Sequence, residues 1–77
     1  MSPTLLLKDG FKFFFYANEH LPRHVHVVKG DAYGKIDLTT LTFVENYLKA
    51  ADAKRALAIA SENRAEFEEK RDEFFKG

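Results

Sequence analysis

Two short glycine turns constrain this chain more than any other feature. Asp9-Gly10 and Gly30-Asp31 each separate two runs in which apolar residues alternate with polar ones. Alternation with a period of two puts every second side chain on one face, and Asp-Gly or Gly-Asp between two such runs is a hairpin signal. The front half is therefore expected to fold as two β-hairpins. For the first, "TLLLKDGFKFFFYAN", the turn admits two registers. A two-residue Asp-Gly turn pairs Leu7 with Lys12. A three-residue turn with Gly10 in the left-handed region pairs Leu7 with Phe11 and Leu5 with Phe13. The second is preferred, because it places Leu5, Leu7, Phe11, Phe13 and Phe15 on one face. Leu6, Lys8, Lys12, Phe14 and Tyr16 fall on the other.

The second hairpin, "HVHVVKGDAYGKIDL", has glycine first in its turn. That predicts pairing of Lys29 with Ala32, Val27 with Gly34 and Val25 with Ile36. Val25, Val27, Ile36 and Leu38 then share the core face. Opposite them, His24 lies across from Asp37, His26 across from Lys35 and Val28 across from Tyr33. Leu41 to Val44 reads as a further short strand by β-branched and aromatic content. From about Ala50 the pattern becomes helical, with Asp52 as a candidate cap. Ala53, Leu57, Ala60, Phe67 and Phe74 form a stripe that Ala56 and Ile59 widen and Arg64 and Arg71 interrupt. No Gly or Pro falls between Ala50 and Phe75, so one long helix, with room for a bend at Ser61-Glu62-Asn63, is expected; the alternative is that this segment ends one helix and caps a second. Glu66 with Lys70 and Asp72 with Lys76 have the favourable ion-pair spacing. The expected fold is α+β: one domain over residues 1–77, a small antiparallel sheet of three to four strands in two hairpins, and a long C-terminal helix on one face.

Composition narrows the function classes. The 77 residues are too few for two domains. There is no cysteine, so neither disulfides nor thiolate metal sites are available, as expected of a reducing cytoplasm. No apolar run reaches the ~20 residues of a membrane span, and no secretory signal is expected at the amino terminus. Net charge is zero, with five basic and five acidic side chains in residues 1–47 and seven of each in 48–77. Neither half binds nucleic acid by bulk charge. Near-neutral charge favours association; Phe14 and Tyr16, aromatics on the more polar face, are expected either to be covered by a loop or terminus or to form a partner surface.

All three histidines, His20, His24 and His26, lie in "NEHLPRHVHVV". His24 and His26 share a strand face, and His20 sits in the preceding turn with Pro22. Three readings follow. In the first, Asn18 and Glu19 bond the turn backbone and the histidines are half-exposed polar residues on a solvated face. In the second, His24 and His26 are base and acid for metal-independent RNA cleavage. Asp37 then orients His24, Arg23 and Lys35 hold phosphate, and Tyr33 stacks or donates. In the third, His20, His24 and His26 bind zinc, with Glu19 or water as fourth ligand. No cofactor is otherwise expected. The acidic run Glu62, Glu66, Glu68, Glu69, Asp72 and Glu73 alternates with basic residues and is expected to solvate a helix.

The segment "FKFFFYANEHLPRHVHVVKGDAYGKIDL" with "ENRAEFEEKRDEFF" resembles a small bacterial family catalogued as domain of unknown function 4160. The specific part is Asn18-Glu19-His20, Pro22 and His24-Val25-His26-Val27. Arg23 departs from it, standing where many relatives have a second proline. The resemblance implies a neighbouring gene encoding a small partner of another family, domain of unknown function 2442, in an arrangement like a toxin–antitoxin pair. Many such toxins act on RNA. Three functions are thus expected. The chain is a toxin–antitoxin component cleaving RNA through the His24/His26 face, a non-catalytic module binding a protein partner or itself through that face, or a metal-binding module.

Overall fold

The computed structural model describes residues 4–15 and 24–75, the last two of these by backbone alone. Five strands pair in chain order as an antiparallel meander: β1 (Thr4–Lys8), β2 (Phe11–Phe14), β3 (His24–Lys29), β4 (Ala32–Asp37) and β5 (Thr42–Asn46). Two helices follow, α1 (Ala50–Glu62) and α2 (Arg64–Phe75). The α+β class and C-terminal helical layer are as expected. The sheet has five strands rather than three or four, because the Leu41–Val44 region forms β5 and pairs with β4.

The β3–β4 hairpin has the predicted register from His24↔Asp37 to Lys29↔Ala32. Gly30 has φ 59°, so the glycine supplies the positive φ that a two-residue turn with glycine first demands. The β1–β2 hairpin takes the other register. Asp9 and Gly10 have φ 55° and 82°, and Leu7 pairs with Lys12. Two successive left-handed residues make the turn whose twist matches the strands, and Asp tolerates that conformation better than most residues. This tight turn puts Leu7 on the outer face, 71 % exposed, and Leu6 inward opposite Phe13. A β-bulge at Leu5 restores the pattern, because the extra residue turns into the core.

A second bulge skips Val44, between the pairs Lys35↔Glu45 and Ile36↔Phe43. The β4–β5 loop is closed by Leu41 N–H donating to Asp37 O at 2.7 Å, with Leu41 at φ 56°. Gly34 lies beneath the Phe43 ring. A Cβ there would sit 2.9 Å from Phe43 Cε1, so only glycine lets that ring close over the core.

One sheet face carries Phe11, Phe13, Phe15, Val25, Val27, Ile36 and Leu38, all buried. The helices cover it with Ala53, Ala56, Ile59, Ala60 and Phe67, and Phe67 packs on Phe13 at 5.5 Å between ring centroids. Alanine on α1 permits close approach to a sheet face built from phenylalanine. Lys29–Asp52 at 3.1 Å and Arg55–Asp9 bind the start of α1 to both glycine turns. Asp52 therefore works as an ion-pair partner in the first turn; the residue at the cap position is Lys49, with no side-chain cap. Of the two alternatives for the helical stretch, the divided one forms: two helices meet at Asn63. There the N–H and Nδ2 of Asn63 both donate to Ile59 O, and Asn63 O accepts from Phe67 N–H, so i→i−4 bonding runs on through the break. Arg71 does not interrupt the stripe but is buried within it, 6 % exposed. The Glu66–Lys70 pair is present at 3.3 Å. The side chain of Phe74, and Lys76 with its expected pair, lie outside the described residues.

Candidate functional site

The opposite sheet face is covered by no described helix, and it carries the residues singled out from sequence. Alternation along β3 turns His24 and His26 to this side, as Val25 and Val27 fill the core. The two histidines do not share an environment. His24 is half-buried at the strand's start. His26 is 1 % exposed, which corrects the expectation of a half-exposed residue.

Neighbouring rings pack on both sides of His26. Phe14, its β2 partner, stacks on the imidazole at 5.5 Å with 24° between planes. Tyr33 from β4 stacks on the other side at 6.0 Å and 22°, and Tyr47 continues the row beyond Tyr33 at 6.3 Å and 22°. Tyr47 N–H donates to Tyr33 O at 2.8 Å, which fixes the two residues side by side. Four rings thus form a column across the sheet. Lys12 closes its Phe14 end with the ammonium 5.7 Å from the ring centroid. Offset stacking of this kind stabilises by about 0.5–1.5 kcal/mol per pair beyond area burial.

A polar chain runs beside the column. His26 Nδ1 lies 3.1 Å from Tyr33 Oη, Tyr33 Oη donates to Glu45 Oε1 at 3.5 Å, and Lys35 Nζ lies 3.6 Å from the same oxygen. A carboxylate only accepts. When Tyr33 gives its one proton to Glu45, its oxygen therefore takes Nδ1–H from His26. This arrangement holds the imidazole in one orientation.

The other candidates fall as follows. Asp37 is opposite His24 as predicted, and its Oδ1 accepts from Thr39 N–H at 2.7 Å and Thr40 N–H at 3.3 Å. That carboxylate oxygen is engaged in stabilising the β4–β5 turn. Tyr33 and Lys35 belong to the His26 network. Asn18, Glu19, His20 and Arg23, with Tyr16 and Pro22, lie outside the described residues. Among the described residues no group of three His, Cys, Asp or Glu side chains is placed to hold a metal ion, and His20 is not among them. Glu45 and Tyr47 were not anticipated from sequence. The signal for them was Asp37 followed by two threonines, an Asx-type turn that starts a fifth strand. Away from this face, Arg55 bonds Asp9 and holds its carboxyl below the usual value of 3.8.

The fold and this face define a small α+β meander protein with one helix-covered face and one aromatic, histidine-bearing face. The chain belongs to the family described as domain of unknown function (DUF4160), whose sequence model matches residues 10–70. The matched span contains β2 to β5 and every ring of the column. No curated protein and no solved structure matches the chain. Among the described residues no helix is long and apolar enough to cross a membrane.

Proposed function

We propose that the protein is a non-catalytic interaction module of a toxin–antitoxin type pair, which binds a small protein partner through the sheet face opposite the helices. The observation that carries this reading is the enclosure of His26. A general acid or base must come within hydrogen-bond reach of the proton it moves. An imidazole stacked between Phe14 and Tyr33 and 1 % exposed serves better as a strut that stiffens the face. A pre-organised aromatic face with a polar rim suits protein recognition, because little side-chain entropy remains to be lost on binding. The partner is the product of the adjacent gene, as the resemblance to the family implies. Co-expression followed by calorimetric titration tests this. Lys12→Glu with Lys35→Glu should weaken binding at least ~tenfold, since reversed rim charges oppose docking. Affinity that ignores both changes rejects the reading.

Metal-independent RNA cleavage is the second reading. It is favoured by His24, which stays partly exposed on the face that carries Lys35. In this reading His24 and His26 move protons, Asp37 orients His24, and Arg23, Lys35 and Tyr33 hold the phosphate. His24→Ala should then abolish cleavage of a single-stranded RNA while the protein stays folded; cleavage at the wild-type rate sinks it.

A further inference from the structure

The two ends of the aromatic column differ. At the Phe14 end, the Lys12 ammonium lies over the ring. At the other end Tyr47 is 70 % exposed, and Tyr33 is its ring partner among the described residues. Tyr47 follows β5, an edge strand of the sheet, which also carries Val44, left unpaired by the bulge and 49 % exposed. A large aromatic with one face stacked and the other in water, next to an exposed valine, is an apolar surface at a sheet edge.

The charges around Tyr47 indicate what covers it. Glu45 lies two residues before and Lys49 two residues after, and both are exposed. The Glu45 side chain is 43 % exposed, and its contacts to Tyr33 and Lys35 both use Oε1. A two-fold axis through Tyr47 sets each Glu45 against Lys49 of the second copy and stacks the two Tyr47 rings. This local pattern is self-complementary, as an isologous interface requires. It is poor for nucleic acid, because the Glu45 carboxylate offsets the neighbouring ammonium charge that a phosphate would need.

We propose that the Tyr47 end of the column is a homodimer contact, in which Tyr47 stacks on Tyr47 of a second copy, flanked by two Glu45–Lys49 ion pairs and rimmed by Val44. Four side chains per copy fall well short of the roughly 20–30 residues on each side of a standard interface. The dimer is therefore weak and concentration-dependent. It lies at the β5 edge, away from His24 and Lys12, and stands whether or not the outer face binds another protein.

Sedimentation equilibrium on the full chain tests it. The wild type should self-associate with Kd on the order of 0.1–1 mM. Tyr47→Ala should raise Kd at least about tenfold, as expected for a central aromatic anchor, and Tyr47→Phe should keep wild-type association. Lys49→Glu should weaken association about tenfold by facing Glu45 with a like charge, and Lys49→Arg should keep it. Tyr47 and Lys49 are exposed, so these variants fold, and circular dichroism checks them. A wild type monomeric at about 1 mM, or a Tyr47→Ala protein that associates like wild type, overturns the proposal. A Lys49→Glu protein that associates like wild type, or dissociation of the dimer by a short single-stranded oligonucleotide, overturns it equally.

Discussion

The two faces of this sheet use aromatic residues for different ends. On the helix-covered face Phe11, Phe13 and Phe15 are buried against alanine, isoleucine and Phe67, and charged groups come in only as the buried Arg71 of the helical stripe and the Lys29 ammonium over Phe11 among the described residues. On the other face Phe14 is one strand position from Phe13 and Phe15, yet it stacks on an imidazole that reaches a phenol and, through it, a carboxylate. One face gains stability from apolar area and close packing. The other accepts buried polar groups, which are tolerable only when hydrogen-bonded. A small domain gains little by building the second kind of face for stability alone, and this difference points to the outer face as the working one.

Substitutions should separate the faces by magnitude. Phe13→Ala removes a ring in contact with Phe11 and Phe67, and should lose about 3–5 kcal/mol in urea unfolding, enough to unfold a domain this small. Gly34→Ala forces a methyl against Phe43 and should cost about 1–3 kcal/mol. On the outer face, His26→Phe keeps a stacked ring between Phe14 and Tyr33 and loses one hydrogen bond. Tyr33 retains Glu45, so the expected loss is about 1 kcal/mol. A cost as large as that of Phe13→Ala would erase the distinction between the faces.

The smallest effect concerns the Asp9 turn, at the end of the sheet rather than on either face. Arg55 lowers the pKa of Asp9 in the folded state from 3.8. Its contribution to stability is therefore present above pH 3.8 and is lost as pH falls through the lower folded value. Asp9→Asn should be less stable than wild type at pH 7, and that gap should close in acid. A gap of constant size down to pH 2 would show that the ion pair contributes nothing.

The hairpins show what sequence made legible. At Gly30-Asp31 the turn preference and the alternation of Val25, Val27, Ile36 and Leu38 demand the same register, and it forms. At Asp9-Gly10 they conflict: alternation asks Leu7 to face inward, whereas the two-residue turn sends it out. The local turn prevailed, and a bulge at Leu5 repaired the core at the cost of an exposed Leu7. A bulge leaves no mark in a periodicity argument, and so Leu6 was also assigned to the wrong face. The same holds at Val44, where a second bulge brings Glu45 opposite Lys35. In the candidate site, the shared direction of His24 and His26 and their partners Asp37 and Lys35 followed from register. The burial of His26 did not, because alternation assigns a side chain to a face and does not say what packs over it.

Binding of the proposed protein partner by the His26→Phe protein tests the account most directly. If His26 is a strut in a docking face, titration should give a Kd within about threefold of wild type, since ring volume and stacking are kept. Absence of binding by the wild type would contradict the account. So would loss of binding in His26→Phe while its spectra remain native, because the imidazole's proton chemistry, rather than its ring, would then be what the face requires.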